Sequence, residues 1–151
     1  MSATTPRATP KPTASPTDDC LFCKIVAGKI PCQKIYENTS TLAFLSINPV
    51  NFGHVLVVPK KHSADLLDTD DTSAGDIMIA AKHVASAVMK SMGAEGFNVS
   101  MNNKGAAGQV IFHAHVHIIP RFSTDGFRHW SHKETTPAQL EETAKKIRAA
   151  L

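Results

Sequence analysis

Gly108-Gln109-Val110-Ile111-Phe112-His113-Ala114-His115-Val116-His117-Ile118-Ile119-Pro120 is the stretch on which the rest of the chain turns. Three histidines recur at every second position among apolar residues, several of them β-branched. That period belongs to a β-strand over residues 109–120, sending all three imidazoles to one face and Ala114, Val116 and Ile118 to the other. Histidine is only moderately suited to burial, so a row of titratable rings is a costly way to build a core. The ring face points instead to chemistry. The preceding Asn102-Asn103-Lys104-Gly105-Ala106-Ala107-Gly108 supplies a Gly- and Asn-rich turn whose backbone amides can approach an anion.

Outward from there, residues 54–59 are nearly all apolar and read as a central strand. Residues 34–37 and 41–46 read as two more around the polar Asn38-Thr39-Ser40 turn, and 97–101 as another. From about Ser73 to Met92, Ile77, Ala80, Ala81, Val84, Val88 and Met89 fall at three- and four-residue spacing, which predicts a helix ended by Gly93. A short helical turn is expected over 21–27, stopped by Gly28 and Pro31. Thr136-Pro137 provides the N-cap and first-turn proline of a last helix through Leu151. Antiparallel strands with a helix inserted between them make an α+β domain.

At 151 residues the chain suits one domain with a real core. A formal charge of +3 suits an anionic small ligand and falls short of a nucleic-acid footprint. No apolar run is long enough to span a bilayer, so neither a nucleic acid nor a membrane is expected as partner. Three cysteines are too few, and odd in number, for a disulfide framework. Residues 1–17, rich in Thr, Pro, Ser and Ala, read as a flexible tail before a domain over 18–151. They lack the apolar centre of a signal peptide and the amphipathicity of a transit peptide, which leaves a cytoplasmic protein as the expectation.

Three constellations carry chemistry. The histidine row admits two sharp readings: a metal site, since alternate histidines on a strand can bind one zinc, or a nucleophile, since neutral imidazole attacks phosphorus well. Cys20-x-x-Cys23 admits metal binding, redox use or a pair of buried thiols; a zinc site would need two further ligands, and His62 and His113 can supply them. Asn102, Gly108, Gln109 and His54 form a polar set that any turn can also contain.

Together these residues resemble the histidine-triad (HIT) family, whose signature is His-φ-His-φ-His-φ-φ with φ apolar. Residues 113–119 meet it at every position. Cys20-Leu21-Phe22-Cys23-Lys24-Ile25, Ile30-Pro31, residues 53–62, Gly108-Gln109 and Ile119-Pro120-Arg121 are similar to the Hint and bacterial Hit branch. The resemblance implies a five-stranded antiparallel sheet with two helices, paired in a homodimer into ten strands. It implies that His115 attacks the α-phosphorus of a purine nucleotide conjugate and that water hydrolyses the histidyl-nucleotide. His117 would then hydrogen-bond a phosphate oxygen, Asn102 and the Gly108-Gln109 backbone would fix the phosphate, and His54 would orient the rings. Cys20, Cys23, His62 and His113 match the family's zinc ligands, and four protein ligands make a structural zinc.

Two positions depart from the family pattern. Ser46, followed by Ile47, stands where an acidic residue touches the ribose hydroxyls. Val110 stands where a hydroxyl side chain is common near the scissile bridge, leaving its backbone N–H. Trp130 is similar to a C-terminal tryptophan that reaches the partner subunit's site in Hint-like dimers; the alternative is a surface or interface anchor. Purine-nucleoside phosphoramidase activity is the leading expectation. The alternatives are dinucleoside polyphosphate hydrolysis and a nucleotide-binding regulatory role with weak turnover.

Overall fold

A computed structural model describes residues 16–151 of the chain. Strands β1 (Lys34–Glu37), β2 (Thr41–Leu45), β3 (Val55–Pro59), β4 (Gly96–Ser100) and β5 (Val116–Arg121) form one sheet in the order β1-β2-β3-β5-β4. Every neighbouring pair is antiparallel. Four helices accompany it: α1 (Pro16–Asp19), α2 (Leu21–Val26), α3 (Asp71–Met92) and α4 (Pro137–Arg148). The long pair, α3 and α4, are the two expected helices, and α1 and α2 are single turns. The expected tail falls mostly on residues outside the described ones, and its last two residues belong to α1.

The alternation of β2 and β3 divides the core. Ala43, Val55, Val57, Val116 and Ile118 face α3, against Ile77, Ala80, Ala81, Val84, Ala85 and Val88. Each such large aliphatic side chain contributes roughly 1.5–3 kcal/mol by leaving water. The Asp70 side chain caps the start of α3 by accepting the Ser73 N–H, and Gly93 ends it in the left-handed region. On the opposite face Leu42, Phe44, Leu56 and Val58 meet Cys20 and Phe22. α4 opens on a Thr136–Gln139 capping box, yet buries none of its residues. Among the described residues no helix is long and apolar enough to cross a membrane.

The histidine strand is shorter than expected. Its ladder begins at Val116, so of the three histidines only His117 lies within a strand. The reason is local. β3 ends at Pro59, which has no N–H to donate, and the Pro59 carbonyl is taken by His113 Nε2 at 2.8 Å. The Ala114 N–H turns to the Ser63 carbonyl at 2.8 Å. The division of faces survives: Val116 and Ile118 join the core under α3, and the imidazoles lie on the other side with Phe22.

Candidate functional site

A cavity of about 470 Å³ opens on the face away from α3 and is lined by His54, His115, His117, Asn102, Gly108, Val110 and Ser46, together with Phe22, Asn48 and Ile111. Three elements deliver the rings. His54 sits at the entrance to β3, His117 lies in β5 opposite Leu56 and Ser100, and His115 lies two residues earlier.

Hydrogen bonds fix which nitrogen of each ring carries the proton. The Val50 N–H donates to His54 Nδ1 at 3.2 Å, so neutral His54 bears its proton on Nε2. That Nε2–H donates to His117 Nδ1 at 2.9 Å, which places the His117 proton on Nε2 in turn. His115 donates its Nδ1–H to the His113 carbonyl at 2.7 Å and keeps its lone pair on Nε2. The cavity therefore meets a lone pair on one ring and a donor on the next, with centroids 4.9 Å apart. Burial lowers the pKa of His54 and of His115, and the hydrogen bond to the His113 carbonyl opposes the shift at His115. Burial, with the neighbouring His115 and His54, pushes His117 down to about 4. All three rings are neutral at pH 7. Phe22 of α2 stands edge-on to His115 at 5.2 Å and braces that ring from below.

The loop after β4 differs from the expected anion cradle. The Gly108 N–H donates to Gly105 O at 3.0 Å and the Gln109 N–H to Lys104 O at 3.2 Å, so both amides are consumed within the loop. Gln109 also turns its side chain inward, donating to the carbonyls of Ala64 at 2.6 Å and Ile111 at 3.1 Å and accepting the Lys104 N–H at 2.8 Å. It is a staple inside the loop, away from the cavity. Lys104 adopts φ 69°, unusual for a side-chain-bearing residue, and its ammonium pairs with the buried Asp65 carboxylate. Among the described residues the N–H groups of Val110 and Ile111 make no hydrogen bond, so both amides are available beside the cavity.

Ser46 also borders a second, more apolar cavity of about 540 Å³ that adjoins the first; Ile47, Phe44, Ile25 and Leu56 line it, and Asn48 stands at the junction of the two. Ile47 thus belongs to the second cavity and not to the triad cavity. Ser46 Oγ accepts the Asn48 N–H at 3.3 Å, which leaves its own O–H to donate. Trp130 is 89% exposed and sits in a separate hollow with Arg128 and Ser100, outside the triad cavity of its own chain. Phe22, Asn48 and Ile111 were not among the expected site residues. Phe22 reads in sequence as a core residue between two cysteines, and Asn48, before Pro49, reads as a loop residue.

Behind the rings, Cys20, Cys23, His62 and His113 each bring one ligand atom within 4.8 Å of the others. His113 Nδ1 stands 3.3 Å from Cys20 Sγ, 3.5 Å from Cys23 Sγ and 3.3 Å from His62 Nδ1. A tetrahedral shell of two thiolates and two imidazoles has edges of about 3.3–3.6 Å between sulfur and nitrogen or between nitrogens, so these residues fit a metal such as zinc. Because His113 Nε2–H is given to Pro59, its Nδ1 lone pair faces the sulfurs. Burial, with the neighbouring Cys20 sulfur, pushes the Cys23 thiol up to about 11, and a bound cation would reverse that shift.

The HIT domain family model matches residues 27–124. The chain is 43% identical over 108 residues to a protein of Arabidopsis thaliana named adenylylsulfatase HINT3, covering 72% of this chain and 55% of the plant protein, just over half its length. It is 46% identical over 102 residues to adenosine 5'-monophosphoramidase hnt1 of Schizosaccharomyces pombe, covering 68% of this chain and 74% of that one. A crystal structure of a zinc-bound histidine triad family protein from Mycobacterium smegmatis superposes with a TM-score of 0.71 at 33% identity, over 89% of this chain and 99% of the other.

Proposed function

This chain belongs to the HIT domain family, and from that premise we propose that it hydrolyses purine nucleotide conjugates at the α-phosphate, with nucleoside phosphoramidates as the leading substrate class. The observation that carries this reading is the pairing of the His115 Nε2 lone pair with the His117 Nε2–H at one cavity. His115 Nε2 bonds to phosphorus as the bond to the leaving group breaks; the bonding pair departs with that group, which takes up a proton from solvent. Water then attacks phosphorus and gives up a proton to solvent, the nucleoside monophosphate leaves and the P–N bond pair returns to the free imidazole. Covalent catalysis of this kind divides one difficult displacement into two easier ones. The His117 Nε2–H, the Asn102 side chain and the Val110 N–H hold the phosphate oxygens while charge develops on them. The apolar second cavity takes the base, with Ser46, Ile47 and Asn48 at its edge.

Zinc on Cys20, Cys23, His62 and His113 would have a filled coordination shell, so its contribution would be to brace the loop that carries His115. Two copies pair edge to edge into ten strands, a reading supported by the exposed Phe97 and Val99 on edge strand β4. In that dimer Trp130 approaches the partner's site. A reducing compartment such as the cytoplasm suits the free thiols. The names of the plant and yeast relatives, both acting on adenylyl conjugates, support the substrate class.

The test is turnover of adenosine 5'-phosphoramidate by the wild type and His115→Asn, each with and without chelator, with intact-mass analysis for a trapped adenylyl adduct. Turnover that chelator reduces without abolishing, and that vanishes in the variant, is the expected result. Turnover that is lost to chelator yet survives in His115→Asn would replace this mechanism with metal-dependent hydrolysis.

A further inference from the structure

The proton on His117 Nε2 has an origin outside the triad. It follows from the tautomer of His54, and that tautomer follows from one backbone amide, the N–H of Val50 aimed at His54 Nδ1. Were His54 to carry its proton on Nδ1, its Nε2 would offer a lone pair to His117. The His117 proton would then move to Nδ1, and His117 Nε2 would present a lone pair to an anionic phosphate oxygen. A donor would become a repulsion. Whatever holds the Val50 amide in place therefore sets the chemistry of a ring it does not touch.

That hold lies in a half-buried polar network beyond the cavity. Asn51 Nδ2 donates to the Pro120 carbonyl at 2.8 Å and to Asp125 Oδ2 at 3.2 Å. The Asn51 carbonyl accepts the His54 N–H at 3.1 Å, so Asn51 grips both the far strand and the His54 backbone. Asp125 is fixed by the Arg121 guanidinium at 2.7 and 2.9 Å, and by the N–H groups of Phe122 at 3.1 Å and Phe127 at 2.9 Å. Arg121 is anchored again on Asn98 Oδ1 at 2.6 Å. The loop closes through Gly53, whose φ of +91° favours glycine and where a Cβ would lie 2.7 Å from Met92 Cγ. Arg121 follows His117 by four residues in β5, on the same face of that strand. One strand thus carries the ring that receives the His54 proton and the guanidinium that anchors the loop supplying it.

We propose that Asn51 and Asp125 are positioning residues for the reaction: they clamp the loop at 48–53 to β5 so that the Val50 N–H holds His54 in its Nε2–H tautomer and His117 as a donor. The inference rests on the functional reading above. Neither residue lines the cavity, and neither touches the substrate.

The test replaces Asn51 with Asp, which keeps the shape but turns the amide donor into an acceptor facing Asp125 and the Pro120 carbonyl; Asn51→Ser is the second variant. Phosphoramidate kinetics are read beside imidazole ¹⁵N spectra, which report the tautomer without any substrate, and a thermal melt checks folding. The expected result is a kcat lowered about tenfold or more with KM changed less than threefold, together with loss of the pure Nε2–H signature of His54. Asn51→Ser, if folded, retains part of both. A fall in activity with the His54 signature intact would make the network merely structural and overturn the proposal, as would unchanged kinetics and spectra in a folded variant. If Asn51→Asp does not fold, Asn51→Ser decides by the same two readings. If the wild type turns over no nucleotide conjugate, the functional reading fails by itself, and the ¹⁵N spectra of wild type and variant still decide whether the clamp sets the tautomer.

Discussion

His113 presents its carbonyl oxygen to the His115 Nδ1–H at 2.7 Å while its own Nδ1 stands 3.3 Å from Cys20 Sγ. The residue that orients His115, the proposed nucleophile, is thus one of the four residues that fit a metal. Removing the metal should loosen His115 without deleting it. Chelation strong enough to strip the protein is expected to lower kcat by about 10–100-fold, the range seen when a supporting contact is lost. His115→Asn is expected to reduce it by about a thousandfold or more. Metal content by mass spectrometry, read beside the rate, checks both.

Phe22 links the two sites through packing. It is 3% exposed and stands edge-on to Phe44, His113 and His115. Phe22→Ala should cost about 3–5 kcal/mol of stability, as aromatic truncations in cores do. It should also lower kcat more than it raises KM, because the freed His115 ring no longer holds its attack geometry. Urea unfolding and steady-state kinetics check the two effects separately.

Acid should weaken the fold through the same rings. Burial lowers the pKa of His54 and, with the neighbouring rings, takes His117 to about 4, whereas histidines in the unfolded chain titrate near 6.5. Between those values the unfolded chain binds more protons, so stability rises with pH across that window. The contribution is complete above about pH 6.5 and is lost as pH falls toward 4. Denaturant midpoints at pH 7.5, 6 and 5 should fall in that order, and His117→Gln should flatten the trend.

Ser46 predicts loose reading of the sugar. A carboxylate accepts from both ribose hydroxyls, while Ser46 offers one neutral oxygen, with Asn48 beside it. Ser46→Asp should therefore raise the preference for ribo- over 2'-deoxyribonucleotide substrates by about 10–150-fold, one charge-assisted hydrogen bond being worth about 1.5–3 kcal/mol. The ratio of the two kcat/KM values in each protein is the measurement.

Much of this was legible in the chain because its signals were periodic. The alternation of His113, His115 and His117 placed the rings on one face, and the spacing from Ile77 to Val88 placed α3, since each pattern repeats along a single element. The candidate metal set was legible as one option, since His62 and His113 can complete the shell of the cysteine pair, and the resemblance favoured it over redox use or buried thiols. What escaped depends on partners distant in sequence. The strand was cut short at Val116 because Pro59, far upstream, cannot donate. The Gln109 backbone suits a phosphate in sequence, yet its N–H goes to the Lys104 carbonyl and its side chain to Ala64. Ile47, next to Ser46, faces a different hollow. No periodicity marks Asn48 or Asn51 as anything but turn residues; their significance comes from which strand they reach.

The strand order β1-β2-β3-β5-β4 places last in synthesis the strand that lies between β3 and β4. As the chain emerges from a ribosome, β4 has no neighbour to pair with until β5 follows it. Cys20, Cys23 and His62 likewise wait as three ligands for the fourth, His113. Sheet closure and completion of the metal-binding set thus fall to the same late segment, residues 113–121. A nascent chain stalled before that segment holds two unjoined pieces of sheet and an open coordination shell, so the rings can assemble only once the scaffold is ready to hold them.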